Sequence, residues 1–342
     1  RVIADGDFNT GAKFIDRTKF RHADANYNFS HLTSNFADIM IGGSFREYEL
    51  NSQGTIFTDI DGPITYNEYG AYLQLQKQFL DDRLKFTGSV RYDKNEFFDG
   101  FFSPRGSLLA TLGEKRNHNV RFSVQQGFRN PTTQDLFIGL NAGAAILVGS
   151  APDNLDRDVR TFDLTPAGQA ITGSPTSTII GRAAYENAFS VSSVQQGAPQ
   201  SVETPLVQPE EITAFEVGYR AQIGRIAIDL SGYYNTYDNF ISNTNVLVPL
   251  YGQAGDNALS LLALQNGDVE VYQNYTNSPA DVESYGATIG VDAKVLGDFD
   301  FGINYTYAEF EFDQAAFPDF RTQFNTPNHK VKASFGHTEL FK

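Results

Sequence analysis

Cysteine and tryptophan are absent from this 342-residue chain, and methionine occurs once. Without cysteine there is neither a disulfide framework nor a thiolate metal site. Long hydrophobic runs are missing too. Nowhere do about 18 apolar residues follow one another, which excludes a transmembrane helix. Cations are in deficit, with 26 Lys and Arg against 41 Asp and Glu, a net charge of −15. No basic face is available to neutralise phosphates, so no nucleic-acid partner is expected. The five histidines, His22, His31, His118, His329 and His337, are scattered without metal-ligand spacing. No GxSxG, P-loop or dinucleotide fingerprint occurs, and no carboxylate pair stands out as acid and base. The chain therefore reads as no enzyme, with no cofactor and no metal. Asp59-Ile60-Asp61-Gly62 fails as a calcium loop because Phe57 stands where the first acidic ligand belongs. Asp153, Asn154, Asp156 and Asp158 could hold a hard cation, but a solvated acidic turn is the preferred reading.

What the sequence has is alternation. Across Ser284–Tyr307 the odd positions carry Ile289, Val291, Phe301, Ile303 and Tyr305, and the even positions Thr288, Asp292, Lys294, Asp300 and Asn304. A period of two marks strands whose faces meet different surroundings, and Leu296-Gly297-Asp298 makes the turn of a hairpin. The pattern recurs about eleven times, over 19–31, 36–49, 66–80, 83–96, 102–112, 118–128, 211–222, 225–240, 281–295, 298–313 and 328–337. Many of these exceed the usual 5–6 residues or so and reach the length of about 9–11 that a tilted membrane crossing needs.

Short connections (32–35, Asp81-Asp82, 114–117, Gly224, Gly297) alternate with mostly long ones (50–65, 97–101, 129–210, 241–280, 314–327). A membrane barrel produces this rhythm, with tight periplasmic turns and external loops free to grow. No amphipathic helical segment of useful length offers to cover the apolar face, so lipid is expected to cover it. A mean hydropathy of −0.33 is no objection, since such strands bring only half their residues to lipid. The fold is therefore expected to be all-β, a transmembrane antiparallel β-barrel. Tyr66, Tyr69, Tyr92, Phe128, Tyr234, Tyr237, Tyr305 and Tyr307 near strand ends read as an interfacial girdle, or as ordinary β-propensity. Segment 129–210, rich in Ala, Gly, Ser, Thr and Pro, reads as an extracellular loop, either a mobile excursion or a ligand-gripping one. In FFDGFF (97–102), packing on neighbouring loops is favoured over an apolar platform for a ligand. The polar face, with Gln74, Gln76, Gln78, Arg91, Arg121, Glu216, Arg220 and Asp229, suits a wet lumen or a plug-contacting wall.

FFSPRGSLLATL (101–112) and NVRFSVQQGFRNPTTQDLF (119–137) together resemble the barrel of TonB-dependent outer-membrane receptors. PEEITAFEVGYR (209–220), SYGATIGVDAK (284–294) and FNTPNHKVKASFG (324–336) follow in the family's order, so the resemblance runs from about residue 8 to the end. It implies a barrel of about 22 strands in the outer membrane of a Gram-negative bacterium, crossing it many times and filled by an N-terminal plug domain. Such receptors bind a scarce nutrient (a siderophore, cobalamin, an oligosaccharide or a peptide) and import it with energy relayed by the TonB protein. Expected partners are the nutrient, TonB and outer-membrane lipid. The chain departs from the pattern in lacking a plug, a TonB-contacting segment and the final strands. It opens on Arg1 without a signal peptide and stops after an apparent strand, so residues 1–342 are expected to be part of one barrel domain.

Arg129, Asn130, Gln134 and Asp135, at the base of the largest loop, are the candidate ligand contacts, with Phe97, Phe98 and Phe101 nearby. The acidic balance hints at cationic or metal-bearing cargo. Rival readings are a passive porin and a secreted β-rich adhesin or glycan-binding protein.

Overall fold

Alternation along the strands becomes a wall with two unlike faces. The computed structural model describes residues 14–33, 36–256, 258–297, 299–319 and 327–337. Numbering strands along the chain, the wall comprises β1 (Lys19–Asn28), β2 (Asp38–Leu50), β3 (Ile64–Phe79), β4 (Leu84–Asn95), β5 (Phe101–Leu112) and β6 (His118–Arg129). It continues through β13 (Glu210–Ile223), β14 (Ile226–Asp238), β17 (Val282–Val295), β18 (Phe299–Phe312) and β19 (His329–His337). Neighbours in the sheet are also successive in this series, and every pairing is antiparallel. The wall is an open segment of an antiparallel β-barrel, with β1 and β19 at its edges. Its strands end within about three residues of the expected bounds. The first stops early because the Asn28 carboxamide accepts from the Ser30 amide at 2.8 Å and turns the chain. Ser34, Asn35, Asp298, residues 8–13 and the stretch 320–326 lie outside the described residues.

Register sets apolar against apolar across each seam: Ile41 pairs with Leu73, Leu73 with Val90, Leu230 with Ile289 and Val291 with Ile303. A slip of one residue would turn every one of these side chains to the opposite face. Among the described residues no layer covers this face. Ile41, Leu73, Val90, Val217, Leu230, Ile289 and Ile303 are each at least 37% exposed. The opposite face is polar, with cross-strand pairs such as Arg220 Nε to Asp229 Oδ2 at 2.8 Å and Lys294 Nζ to Asp300 Oδ1 at 2.8 Å. Gly42 on that face lies beneath the Tyr72 ring, where a Cβ would come within 2.5 Å of a ring carbon. Large inward side chains thus lie over strand glycines, which lets the wall stay closely paired.

The two longest connections fold together into a cap at the loop end of the wall. Segment 129–210 supplies β7 (Gly139–Asn141), β8 (Ile146–Val148), β9 (Val159–Asp163), β10 (Thr176–Ile180), β11 (Ala188–Ser190) and β12 (Ser201–Val202). Segment 241–280 supplies β15 (Ile241–Pro249) and β16 (Val269–Asn277). Six of these strands make one mixed sheet in the order β12-β11-β15-β16-β8-β7, while β9 and β10 pair separately. Short helices fill the gaps, among them α2 (Thr133–Phe137) and α3 (Pro152–Arg157), following the turn α1 (Ser30–Thr33).

Here the chain builds a core of the ordinary kind. Ile146, Val148, Leu155, Tyr185, Val246, Val248 and Tyr272 are at most 2% exposed. The Tyr185 hydroxyl lies 3.0 Å from Val148 O and 3.1 Å from Tyr275 O, and accepts from the Tyr275 amide at 3.0 Å. Burial pushes its pKa well up, so it serves as a neutral hydrogen-bonding post. The acidic turn at 153–158 is absorbed into this fabric. Buried Asn154 donates to Gly149 O at 2.8 Å and Ile138 O at 3.0 Å and accepts from Thr58 Oγ1 at 2.6 Å. Asp158 lies 2.9 Å from Arg160 Nη2, and Asp156 accepts from Arg182 Nε at 2.8 Å. The Arg182 hydrogen bond holds the Asp156 carboxyl below its ordinary value.

A second cluster, made of Leu50, Tyr66, Leu136, Phe137, Ala151, Val207 and Ile241, joins the cap to the rim of the wall. Tyr66 is therefore no girdle residue. It is 3% exposed, while Tyr69 at 54% and Tyr234 at 40% do stand on the outward face. Tyr237 is likewise corrected: its ring meets Phe240 at 5.7 Å, and its hydroxyl lies 3.3 Å from Ser284 Oγ on the inward side. Loops from the wall hold the cap as well. The loop after β2 pairs Phe57 with Ile138, and the loop after β18 sends Asp319 to accept from Ser190 Oγ at 2.6 Å and the Ser192 amide at 3.1 Å.

Candidate functional site

Strands β6 and β13 leave the wall together, and the candidate site forms around their exit. Arg129 and Glu210 are their last paired residues, and Arg129 Nη2 meets Glu210 Oε2 at 2.8 Å. The same oxygen accepts from the Ile241 amide at 2.9 Å, so one carboxylate ties together three chain crossings at the base of the cap. Its side chain is 9% exposed and that of Arg129 51%, which leaves much of the guanidinium facing open space.

Pro131 has no amide hydrogen to continue the ladder, and the chain turns into α2. Thr132 caps that helix reciprocally with Asp135. Asp135 Oδ2 accepts from the Thr132 amide at 2.7 Å, and Thr132 Oγ1 accepts from the Asp135 amide at 3.3 Å. Thr-x-x-Asp is a capping signature legible in the sequence. Asp135 is thus buried and engaged at the helix start.

Two clefts flank Arg129 on the inward side. The first, about 610 Å³, is lined by Arg46, Tyr48, Tyr66, Glu68, Arg91, Asp93, Ser103 and Gly127 through Thr133. Tyr48 and Tyr66 stack there with centroids 4.5 Å apart and planes 8° from parallel. Glu68 accepts from Asn95 Nδ2 at 2.8 Å, Asn130 Nδ2 at 3.1 Å and the Tyr48 hydroxyl at 3.3 Å, while Arg46 approaches to 3.5 Å. Arg91 Nε donates to Asp93 Oδ2 at 2.6 Å, and its Nη2 donates to Ser44 Oγ at 2.9 Å. The second cleft, about 550 Å³, is lined by Arg129, Thr132, Gln134, Asp135, Glu210, Tyr237, Phe240, Ile241, Ser242, Asn243 and Tyr275. In it Gln134 Nε2 donates to the Tyr275 hydroxyl at 2.6 Å. Burial raises that phenol's pKa, so it stays a neutral donor and acceptor.

The sequence candidates divide accordingly. Arg129 and Asn130 line the first cleft, and Arg129, Gln134 and Asp135 the second. The phenylalanines pack on neighbours. Phe97 lies 5.4 Å from both Tyr66 and Phe137 and borders a separate cavity of about 520 Å³. Phe98 packs on the junction cluster, and Phe101 meets Phe128 at 4.8 Å. Sequence reasoning did not single out Arg46, Tyr48, Glu68, Asp93, Asn243 or Tyr275 as site residues. For the first four a signal existed, since each sits on the inward parity of its strand beside a long connection. Asn243 and Tyr275, on cap strands, had none.

Comparison with known proteins points one way. The family model described as TonB dependent receptor-like, beta-barrel matches residues 3–341. No curated protein sequence matches the chain. Among solved structures, a mutant of the ferric enterobactin receptor PfeA of Pseudomonas aeruginosa is similar at a TM-score of 0.58 and 14% identity, over 94% of this chain and 39% of that one. The siderophore receptor PirA of Pseudomonas aeruginosa gives 0.52 at 13% identity, over 88% of this chain and 44% of that one. The copper transporter OprC gives 0.51 at 14% identity, over 94% and 40%. At such identities the likeness is one of fold, and this chain spans about two-fifths of the length of these structures.

Proposed function

Because the chain belongs to the TonB dependent receptor-like β-barrel family, we propose that it is wall and cap of an outer-membrane receptor that captures a scarce nutrient and admits it under TonB-coupled energy. The family is one of receptors and transporters rather than enzymes, and its barrels lie in the outer membrane. On this reading lipid covers the apolar face, the tight turns face the periplasm, and the cap stands outside the cell. The nutrient descends past the cap and meets Arg129, Asn130, Gln134 and Asp135 at the mouth, with Phe97, Phe98 and Phe101 supporting the rim. A siderophore or metal chelate leads among the cargoes, because siderophore receptors and a copper transporter share the fold. Cobalamin, oligosaccharides and peptides follow. The plug and the contact with TonB belong to the parent receptor.

The observation that supports this best is the pair of clefts on the inward face, at the base of a folded cap and sharing Arg129. The test is uptake by cells carrying the full-length receptor, offered ferric siderophores, cobalamin, oligosaccharides and peptides. Arg129→Gln and Gln134→Ala are expected to lower uptake of one class severalfold. Unchanged uptake in both removes these residues from the path. Uptake that persists after the proton gradient is collapsed replaces the receptor with a passive porin. Recovery of the protein in the soluble fraction without detergent points to an adhesin.

A further inference from the structure

We infer that the outward face carries a seat for one anionic phospholipid, with an acyl chain in an apolar hollow of the wall and the head-group phosphate held by Lys115, Arg116 and Arg225 at the turn end. The inference goes beyond the receptor reading and rests on it only for the direction of the wall, apolar side to lipid and tight turns to the periplasm. The hollow, about 340 Å³, is lined chiefly by Val217, Tyr219, Leu230, Gly232, Ala287 and Ile289. Register sets Gly232 between Val217 and Ala287, so two small residues lie side by side among larger ones. No neighbour demands that glycine. Gly218 and Gly286, on the inward face, lie beneath Arg121 and Tyr233, with which a Cβ would collide. At Gly232 the nearest neighbouring atom to a Cβ would be Gly286 O at 3.7 Å, an ordinary contact. What fills the hollow therefore comes from outside the sheet.

Contacts lead from the hollow to the turns. His118 Nδ1 lies 2.8 Å from the Tyr219 hydroxyl, and the two rings stack with planes 20° apart. The preceding residue, Asn117, donates to Gln222 O at 2.8 Å, beside the turn at Gly224. Tyr219 stands five residues from that turn, about 17 Å along a strand tilted by about 35–45°. The hollow is thus about 13 Å deep, inside the turn-side half of a hydrocarbon core about 30 Å thick. The turns themselves are laced by cations. Arg83 Nη1 donates to Gly113 O at 2.9 Å, Arg116 Nη2 to Asp81 O at 2.7 Å and Arg225 Nη1 to Gly297 O at 3.1 Å. Each acceptor is a backbone carbonyl, which leaves the charge unneutralised. At the loop end, by contrast, Arg46, Arg91, Arg129, Arg157 and Arg182 each meet a carboxylate. Among the described residues Lys115, Arg116 and Arg225 meet none, although Glu114 adjoins Lys115 and the turn after β3 carries Asp81 and Asp82. Arg225 stands two turns away from that pair. A guanidinium anchored at one nitrogen keeps further donors in the fork that suits a phosphate. Basic groups at a membrane surface draw anionic lipid, whereas a zwitterionic head group brings a cation of its own to the rim.

The test is native mass spectrometry of the full-length receptor, released from detergent with added phosphatidylglycerol or phosphatidylcholine. Phosphatidylglycerol is expected to be retained severalfold better. Arg116→Gln together with Arg225→Gln is expected to remove most of that preference. Glu114→Gln is expected to raise it, a gain that misfolding cannot produce. Lys85→Gln, on the inward side of the turn end, is expected to leave it unchanged. Gly232→Leu, which fills the hollow, is expected to lower retention of both lipids severalfold, and Gly232→Ala to lower it less. Equal retention of the two lipids overturns the inference, and so does retention that ignores Gly232→Leu. A dimer dispersed by Gly232→Leu would give the hollow to a second copy and overturn it too. The receptor reading fails separately. Selective retention without energised uptake of any solute removes the transporter and leaves the lipid seat; energised uptake with equal retention does the reverse.

Discussion

The wall and the cap are built from the same kinds of residue and solve opposite problems. In the wall, Leu73 is 45% exposed, Ile289 44% and Val217 55%, although each sits mid-strand with paired neighbours on both sides. In the cap, Val148, Leu155 and Val248 are fully buried, around a Tyr185 with 1% exposure. Removing such a side chain from water is worth about 1.5–3 kcal/mol. The cap collects that stabilisation from itself. The wall cannot, since it is one sheet thick, so its apolar face needs hydrocarbon from outside. The comparison teaches where specificity can reside: lipid accepts any greasy residue, whereas a packed core and a junction such as Leu50, Tyr66 and Phe137 fix positions. The two clefts beside Arg129 lie where the second kind of packing meets the first.

The sharpest way to break this contrast is to empty the cap. Tyr185→Ala removes one of the two fully buried tyrosines among the described residues together with three hydrogen-bond contacts, and is expected to destabilise the cap by about 3–5 kcal/mol. Hydrogen exchange should then quicken at β15 and β16 while the amides of β3 and β4 stay protected. Loss of protection in the wall as well would mean that the two regions are one cooperative unit. Next in size is a charge on the outward face. Leu73→Arg in lipid vesicles is expected to cost about 2–4 kcal/mol, and Gln74→Arg, one residue along and facing inward, a small fraction of that. Equal costs in a urea titration would remove lipid from the account. Smaller again is the helix cap beneath the second cleft. Thr132→Ala is expected to lower cap stability by roughly 1 kcal/mol, again read by exchange, with the apolar wall unaffected.

Much of the wall could be read directly, because a period of two repeated over nine or more residues leaves little freedom in placing either face. Parity rather than residue type places Tyr66. Gln74, Gln76 and Gln78 had already put the even positions of that strand inside, and Tyr66 is even. Tyr237 repeats the lesson, sharing its parity with inward Tyr233 and Asn235 rather than with outward Tyr234. The cap was opaque for a different reason. Its described strands in 129–210 run two to five residues, too short for any period to register, and its decisive contacts are remote: Thr58 to Asn154 spans 96 positions and Tyr185 to Tyr275 spans 90. Of the clefts, the Gly127–Pro131 exit was visible as a local motif, but Arg46 joins Asn130 only through Glu68 and the register of three strands.

The smallest effects distinguish wall and cap by pH, and two cap carboxylates should act with opposite sign. Asp156 has its folded pKa lowered from 3.8 by the hydrogen bond from Arg182. Its contribution is therefore present above the unfolded value and lost as pH falls through the lower folded one. Glu270, half-buried in β16, has its folded pKa raised from 4.5 by burial. Ionising it costs the folded cap more than the unfolded chain, so stability is greatest below 4.5 and declines as pH climbs through the higher folded value. Glu270→Gln should flatten the decline on the rising side, and Asp156→Asn should flatten the loss at the acid end, where the wild type softens. Thermal melts followed by exchange at cap amides between the two limbs would read both. Both groups belong to the cap, so the melting of the wall should not follow either substitution. A wall that tracked Glu270→Gln would show that the cap's stability is transmitted through the Glu210 and Phe137 junction rather than contained above it.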